Sequence, residues 1–351
     1  MILYSSSSEA FRLDVETNQI TDKIRDSFQR RLGYLPSPSE QHAWNNSLQF
    51  MERIIRNSQV PGDCGVLIEF NIPSTSKRID FLIAGRDSEQ RDNFVIVELK
   101  QWETAKATDQ PDIVSTFTGG RQQNVTHPSY QAWSYKQFLV DMNEAIQQGD
   151  FVGHACAYLH NYVKKSNEPL LESQYQDIIQ DAPIYFKDDY QKLQEYLFHH
   201  LCNGHGINTL YLIENGRLRP SRKLMDHVAG LFNGNNEFIL LDEQKVVFET
   251  ILSHASNPQR KTVILVEGGP GTGKSVISVN AFGQLLQRGK NVHFVAPNAA
   301  FRSVMIESLT RQMPRSRARI RSLFKGSSVF WDSPDNFYDV LVVDEAHRLK
   351  N

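Results

Sequence analysis

Apolar residues in the first third of the chain change from helical to strand spacing. Residues 37–57 are predicted to form a helix, because large apolar side chains recur there at intervals of three and four. Pro38 takes the first helical position, where the N–H that proline lacks needs no partner. The residues that set this spacing are Trp44, Leu48, Met51 and Ile55.

Short apolar runs follow, and they are typical of strands. Residues 65–70 and 78–84 flank the turn-rich sequence NIPSTSK, which predicts a hairpin, and a third run over residues 94–99 ends in charge. The remaining predictions for this half are a helix, a strand and a helix, over residues 128–142, 152–160 and 188–203. The first half is therefore predicted to be an α/β domain with a mixed sheet.

Beyond residue 236, helices and strands are predicted to alternate regularly, which indicates βαβ units and a parallel sheet. The helices begin at Asp242, Lys274 and Ala299, and the strands cover residues 262–267, 291–296 and 339–343. A Gly-Asn cluster at residues 233–236 marks a change in character. We place the domain boundary there, which gives domains over residues 1–230 and 231–351.

Composition narrows the class of protein. A length of 351 residues with 40% hydrophobic residues is enough for two domains with their own cores. No apolar run approaches the roughly 18 residues of a membrane span, and the N-terminus has no signal-peptide layout. We therefore expect a soluble cytoplasmic protein. Its three scattered cysteines, Cys64, Cys156 and Cys202, suggest reduced thiols in place of a disulfide framework or a zinc site.

The net charge of -2 argues against a polybasic nucleic-acid binder, but the sum hides a basic segment. Residues 301–330 contain seven basic residues and one acid, Glu307, so this segment is +6 and the remainder is -8. A solvated face and a surface that contacts phosphates remain open interpretations. The basic residues are Arg302, Arg311, Arg315, Arg317, Arg319, Arg321 and Lys325.

A complete P-loop sequence, TVILVEGGPGTGKS, occupies residues 262–275. Its glycines allow backbone N–H groups and a helix N-terminus to face phosphate oxygens, which predicts an ATP site. Lys274 is expected to reach the β and γ phosphates, and the Ser275 hydroxyl to bind Mg²⁺. The nucleotide-binding residues are Gly268, Gly269, Pro270, Gly271, Thr272, Gly273, Lys274 and Ser275.

Two acids follow the apolar run 340–343, where a parallel strand would end at the ligand-binding edge of its sheet. We expect Asp344 to hold Mg²⁺ through water and Glu345 to orient an attacking water. Upstream, Gln244 opens a helix and is expected to hydrogen-bond an adenine edge. Capping of that helix is the alternative role for Gln244.

A second group of charged residues lies in the first half. Glu98 and Lys100 share one face of a strand because side chains alternate, and Asp80 lies on the neighbouring strand. Asp80 and Glu98 can converge on a hard cation while Lys100 sits beside an attacking water, as metal-dependent phosphodiester hydrolysis requires. A surface Glu–Lys pair is the alternative.

Four more residues bear on this group. Gln131 and Tyr135 are four apart and share one face of a predicted helix, which His127 begins. Glu40 and Glu69 could each supply a further acid. Glu40 ranks higher because it lies one turn from Trp44, although it also completes a capping box with Ser37.

The second half contains the sequence GGPGTGKS, the residues Asp344 to His347 (DEAH) and Gln244. Together these features resemble a superfamily 1 helicase, and more narrowly the Schlafen-type DNA/RNA helicase domain. The resemblance covers residue 237 to the end. It implies a partial RecA-like P-loop NTPase whose residues 295–302 contact nucleic acid. Such enzymes continue with a second RecA-like lobe, so we expect these 351 residues to hold an incomplete ATPase.

The first half, to about residue 225, resembles the PD-(D/E)XK nucleases, which have a restriction-endonuclease-like mixed sheet. The spacing of Gln131 and Tyr135 resembles an element of RecB-family nucleases. The resemblance implies metal ligation by Asp80 and Glu98, water positioning by Lys100, and substrate-side support from Gln131 and Tyr135.

Together these features predict a Mg²⁺-dependent nuclease of DNA or RNA joined to an ATP-binding lobe, by analogy in bacterial defence. The alternatives are a nucleic-acid-binding or ATP-switched module without cleavage, and a plain ATPase whose first domain mediates assembly. The sequence leaves the oligomeric state open.

Overall fold

The computed structural model describes residues 2–72, 77–149, 151–216, 239–256, 261–296, 299–312, 317–330, 333 and 337–348. The chain divides into two compact units, Met1–Arg219 and Pro220–Asn351. The boundary predicted near residue 230 falls within residues 217–238, outside the described residues.

The first unit is mixed α/β, as predicted. Its strands are β1 (Tyr4–Ser7), β2 (Gly65–Asn71), β3 (Arg78–Arg86), β4 (Asp92–Lys100), β5 (Ala105–Ala107), β6 (Ile113–Thr118), β7 (Arg121–Thr126), β8 (Val152–Leu159) and β9 (Ile184–Phe186). Its helices are α1 (Ser8–Glu16), α2 (Ile20–Leu32), α3 (Pro38–Asn57), α4 (Pro128–Met142), α5 (Glu144–Gln148), α6 (Gln176–Asp181), α7 (Tyr190–Leu201) and α8 (Gly206–Asn215). Short 3₁₀ turns lie at Pro169–Leu171, Ser173–Tyr175 and Lys187–Asp189.

A six-stranded mixed sheet organises this unit, in the order β1-β2-β3-β4-β8-β9. β1 to β4 pair antiparallel, whereas β8 is parallel to both β4 and β9. Side chains that alternate along β3 and β4, such as Phe81, Ile83, Val95 and Val97, enter a core closed by α1, α2, α3 and α7. Helix α4 packs against β4 and β8. Both faces of the central strands are covered, which explains their nearly continuous apolar sequences.

A second, three-stranded sheet has the order β5-β6-β7 and is antiparallel throughout. Gly119 and Gly120 join β6 to β7, and both have positive φ. That is the backbone of a tight two-residue hairpin turn, which glycine adopts without strain. Ala105 and Val114 of this sheet pack into an aromatic core with Tyr162, Tyr175 and Phe186.

The second unit contains helices α9 (Glu243–Ser256), α10 (Lys274–Gln287), α11 (Ala299–Gln312) and α12 (Arg317–Leu323). Its strands are β10 (Val292–Val295), β11 (Phe324–Lys325) and β12 (Val340–Val343), and 3₁₀ turns lie at Ser327–Phe330 and Ala346–Arg348. The strands form a parallel sheet in the order β11-β10-β12. Phe248, Phe282, Phe294 and Phe324 lie in its core.

The strand predicted over residues 262–267 is wrong. This segment has no strand assignment, and Val263 and Leu265 are 95% and 72% exposed. A run of apolar residues becomes a strand only where a neighbour takes its backbone hydrogen bonds. Among the described strands of this unit, β12 pairs with β10 alone, so residues 262–267 have no such neighbour.

The three cysteines form no disulfide. Cys64 and Cys156 are buried and Cys202 is partly exposed, and burial raises the pKa of Cys64 to about 12. Cys64 is therefore a protonated packing residue at neutral pH. None of the helices in the described part of the chain is long and apolar enough to cross a membrane.

Candidate functional site

Three carboxylates follow one another across the strands β2, β3 and β4. Glu69 and Asp80 lie between the paired residues Ile68–Phe81 and Phe70–Ile79, so they occupy opposite positions. Asp80 and Glu98 each lie one residue beyond the pair Phe81–Val97. Opposite residues of antiparallel strands point to the same face, so the sheet brings Asp80 and Glu98 together as the sequence predicted. We call Glu69, Asp80 and Glu98 the carboxylate row.

Lys100 completes this group. Its Nζ lies 2.7 Å from Oε1 of Glu98, whose side chain is only 2% exposed. Lys100 Nζ also lies 5.5 Å from the centre of the Trp102 ring. The open alternative of a surface Glu–Lys pair does not fit this burial, because the pair is held at the end of a core strand.

The row borders a cleft of about 310 Å³ between α3 and the ends of β2, β3 and β4. Asp80, Lys100, Glu40 and Glu69 line it, together with Trp44, Arg78, Gln101, Trp102 and Thr118. The backbone N–H of Leu99 donates to Oδ2 of Asp80 at 2.9 Å, which fixes one oxygen of this carboxylate. The chain thus places the carboxylates of Asp80 and Glu69 and the ammonium of Lys100 along one cleft.

Glu69 is the most unusual residue of the row. Its φ of 54° is left-handed, an uncommon conformation for a glutamate within a strand. Burial, and then the nearby charge of Asp80, raises the pKa of Glu69 to about 7. Trp44 Nε1 donates to Glu69 Oε1 at 2.8 Å, and Arg78 lies 3.0 Å from its other oxygen. Strain and a perturbed pKa in a cleft are features of functional sites.

Glu40 occupies a different position from Glu69. Its carboxylate accepts hydrogen bonds from the Ser37 backbone and hydroxyl in a capping box, and from Arg78 at 3.0 Å. Although partial burial opposes ionisation, these bonds lower the pKa of Glu40. Glu40 therefore caps α3 as the sequence also allowed, while Glu69, ranked second, lies opposite Asp80.

Sequence reasoning missed Arg78 and Gln101. Arg78 joins Glu40 to Glu69, and Gln101 Nε2 donates to Ala43 O at 3.2 Å and Ser47 Oγ at 3.1 Å. These contacts hold the ends of β3 and β4 against α3. The position of Gln101 directly after Lys100 was the available signal.

The donor chemistry of the row fits a hard divalent cation. Carboxylate oxygens are what Mg²⁺ prefers, and protein sites commonly supply one or two carboxylates while water and substrate phosphates complete the shell. Within the described residues, no three His, Cys, Asp or Glu side chains converge as a metal site. Asp80 and Glu98 offer two carboxylates of the kind that such a cation uses.

Gln131 and Tyr135 lie on α4, which packs against β4. Gln131 Nε2 donates to Tyr135 Oη at 3.0 Å, so the predicted i, i+4 pair forms. The Tyr135 side chain is fully buried, and neither residue lines the cleft. The pair therefore lies beside β4, outside the lining of the cleft.

His127 begins α4, as predicted. Its Nδ1 accepts from the N–H of Ser129, and its Nε2 lies 3.0 Å from the carbonyl of Leu170. Burial lowers its pKa to about 4, so the ring is neutral at pH 7. His127 is a structural cap.

In the second unit, the predicted phosphate loop precedes α10. Lys274 Nζ donates to the carbonyls of Gly268 and Gly269, both at 2.7 Å. Gly273 has a φ of 85°, and Gln244 Nε2 donates to the carbonyl of Thr272 at 2.9 Å. Gln244 thus holds the loop itself, a role beyond the two that the sequence suggested.

Ser275 and Asp344 meet, although 69 residues separate them. Ser275 Oγ donates to Asp344 Oδ2 at 3.0 Å, because the parallel sheet delivers Asp344 at the end of β12. Glu345 has a φ of 53° and lies near His347 and Arg348. The hydroxyl and carboxylate suit a shared Mg²⁺, and the adjacent Glu345 is exposed.

The basic segment is described in part. The Arg302 guanidinium donates to the carbonyl of Ala296, Arg321 is exposed, and Lys325 is half-buried. Arg315 lies outside the described residues, as do the side chains of Arg311, Arg317 and Arg319. Both interpretations of the basic segment, a solvated face and a surface that contacts phosphates, therefore stay open.

Residues 261–351 match the family model described as the Schlafen group 3, DNA/RNA helicase domain. The match includes the phosphate loop and Asp344, begins after Gln244, and supports a helicase-type domain with a nucleic-acid-related role. Comparison with curated proteins found no match, and neither did comparison with solved structures.

Proposed function

We propose that the first unit hydrolyses phosphodiester bonds of DNA or RNA with Mg²⁺ at the cleft beside β2, β3 and β4. The observation that carries this proposal is the carboxylate row with Lys100 held 2.7 Å from Glu98. Two carboxylates and a lysine on adjacent strand ends are the groups that this hydrolysis needs.

The division of labour follows from the contacts. Asp80, oriented by the Leu99 N–H, and Glu98 would hold Mg²⁺, which supplies charge stabilisation at phosphate and a lower pKa for bound water. Lys100 then orients the attacking water and offers positive charge at the scissile phosphate. With a pKa near 7, Glu69 can exchange a proton at neutral pH, which suits a general acid or base.

The second unit, on this proposal, binds ATP with Mg²⁺. Phosphate oxygens would replace the Gly268 and Gly269 carbonyls as partners of the Lys274 ammonium. Ser275 and Asp344 would hold the cation, and Glu345 would orient a hydrolytic water. ATP occupancy would then regulate the nuclease or feed it with substrate, as expected of a helicase-type domain.

Cleavage of labelled single- and double-stranded DNA and RNA tests the nuclease. With Mg²⁺, the wild type should cut at least one substrate, and Lys100→Ala should lower the rate by about 100-fold or more. Lys192→Ala is the matched control, because it removes another ion-paired lysine of the same unit. If every substrate stays intact with the wild type, the nuclease proposal fails.

Isothermal titration with ATP and Mg²⁺ tests the second unit. Lys274→Ala should abolish measurable binding, whereas Lys290→Ala, beyond the end of α10, should bind as the wild type does. Equal ATP affinity of Lys274→Ala and the wild type would show that Lys274 does not bind the nucleotide.

A further inference from the structure

The small sheet of β5, β6 and β7 has one packed face and one open face. Val114 and Thr116 of β6 are buried, whereas Phe117, between Thr116 and the hairpin turn, is 63% exposed. Burial on one side and exposure on the other is normal for a small antiparallel sheet, but the open side usually carries polar residues alone. An exposed aromatic ring on the open face is therefore unusual and suggests a binding role.

The register shows which side chains accompany the ring. Phe117 is opposite Gln122, Ser115 is opposite Asn124, and Lys106 is opposite Ser115, so all five share the open face. Gln122 Nε2 donates to Ser115 Oγ at 2.9 Å, which fixes this amide beside the ring. We call Lys106, Ser115, Phe117, Gln122 and Asn124 the open ladder.

The charge of this sheet is of one sign. Its three strands contain Lys106 and Arg121 and no acidic residue. Both basic side chains are exposed. Lys106 belongs to the open ladder, whereas Arg121 is opposite Thr118 and so belongs to the other face. The one charged residue of the open ladder is therefore a cation, which favours an anionic ligand.

The open ladder is adjacent to the cleft along the chain. Thr118, the neighbour of Phe117, lines the cleft, as does Trp102 at the start of the segment leading to β5. The Gly119–Gly120 turn is tight, so it holds this end of the hairpin, with Phe117, in a fixed position.

We propose that the open ladder binds single-stranded nucleic acid, with one unpaired base stacked on Phe117 and a phosphate near Lys106. Amides at Gln122 and Asn124 supply hydrogen bonds to base edges. An aromatic ring among amides and cations is how sheets commonly bind single strands, because every base offers a π face. Paired bases in a duplex are already stacked on one another, so they are excluded from the ring.

A protein partner is a poorer match for this surface. Docked protein interfaces rest on contiguous apolar area, whereas Phe117 is the one large apolar side chain of the open ladder. The inference rests on the proposed function in that the bound nucleic acid would continue into the cleft. It concerns binding, which can be measured without cleavage.

Fluorescence anisotropy with labelled 12-nucleotide single strands of DNA and RNA, and with a matched duplex, tests the proposal. With EDTA present to prevent cleavage, the wild type should bind a single strand more tightly than the duplex. Phe117→Ala should weaken single-strand binding by about fivefold or more, as expected for a lost stacking contact. Phe117→Trp should retain it, and its added fluorescence, relative to the wild type, should be quenched by the oligonucleotide.

Two further variants control for general effects. Tyr211→Ala removes a ring of similar exposure, 65%, from α8 and should leave affinity unchanged. Lys106→Gln should reduce the slope of log affinity against log salt by about 0.7, the value for one phosphate contact to a single strand. Circular dichroism should show the same fold for all variants.

Unchanged affinity of Phe117→Ala overturns the proposal, as does equal loss in Tyr211→Ala or a preference of the wild type for duplex. Cleavage by the wild type with Phe117-independent binding would refute this inference alone. Phe117-dependent binding without cleavage under Mg²⁺ would refute the nuclease proposal alone.

Discussion

Glu69 combines a left-handed backbone, a cleft position and a raised pKa in one side chain. Its φ of 54° costs about 1–3 kcal/mol and persists only where the surroundings enforce it. Here the hydrogen bond from Trp44 and the ion pair with Arg78 hold the carboxylate. Such enforcement of an unfavourable geometry makes Glu69 the best residue at which to test the site's electrostatics.

Glu69→Gln should make folding less sensitive to pH. Because burial and Asp80 raise its pKa from 4.5 to about 7, the folded state keeps a proton that the unfolded state releases between these values. This carboxyl therefore lowers stability as pH rises through that window. Glutamine mimics the protonated form, so the variant should gain about 2 kcal/mol relative to the wild type between pH 5 and pH 8.

Urea unfolding of both proteins at pH 5 and pH 8 measures this change. Glu195→Gln, an exposed glutamate of α7, is the control and should show no gain. A constant difference between Glu69→Gln and the wild type at the two pH values would contradict a raised pKa for Glu69.

Helices and strands with a regular spacing or an unbroken run of apolar residues were predictable from the sequence. Residues 37–57 and 128–142 were predicted as helices, and α3 and α4 have nearly these bounds because Pro38 and Pro128 fix the starts. The strands β2, β3 and β4 followed from their apolar runs. This covers the sheet edge that holds Asp80, Glu98 and Lys100, so that part of the candidate site was accessible from the sequence.

β7 and α2 were not predicted from the sequence. The first lacks a regular spacing of apolar residues, and the second has one. β7 has the sequence RQQNVT, which is polar on both faces, so only its partner β6 reveals a strand. Ile20, Ile24 and Phe28 of α2 are four apart and buried, and Gly33 ends the helix in the left-handed conformation. That signal was present. The sequence carried no signal for the position of Glu69 opposite Asp80, because the register between two strands is set only when the strands pair in the folded protein.

The phosphate loop depends on an element far upstream, the first turn of α9. Gln244 donates to Thr272 O and stands where a side chain at Gly273 would go: a Cβ there would lie 2.3 Å from Gln244 Nε2. Gly273→Ala therefore displaces the Gln244 amide from the Thr272 carbonyl and adds the strain of a φ of 85°. We expect it to abolish ATP binding in calorimetry and to lower the melting temperature of the protein.

Gly289→Ala separates strain from collision. Gly289 also has positive φ, at 74°, but no atom lies within 4 Å of its added Cβ. It should bind ATP normally and lose only about 1 kcal/mol of stability. Adding Gln244→Ala to Gly273→Ala should restore part of the binding. Normal ATP affinity in Gly273→Ala alone would show that the loop tolerates a different backbone.

Each of the two units contains its own hydrophobic core. In Met1–Arg219, Phe11, Phe81 and Val97 belong to the large core under the six-stranded sheet, and a separate aromatic core lies under β5 and β6. Phe282 and Phe294 belong to the core of Pro220–Asn351. A unit that buries its own apolar side chains can fold without the rest of the chain. The carboxylate row, the cleft and the open ladder all lie in the first unit.

The fragment Met1–Arg219 should therefore fold and keep the proposed nuclease activity. Every side chain that we assign to phosphodiester hydrolysis, and every hydrogen bond that orients it, comes from this fragment. We expect a single cooperative thermal transition and Mg²⁺-dependent cleavage that ATP leaves unchanged. Cleavage by the whole chain should respond to ATP, because the phosphate loop is then present. The fragment carrying Lys100→Ala is the control for contaminating nucleases. A fragment that folds cooperatively but cuts nothing that the whole chain cuts would show that the second unit contributes to the cleavage site itself.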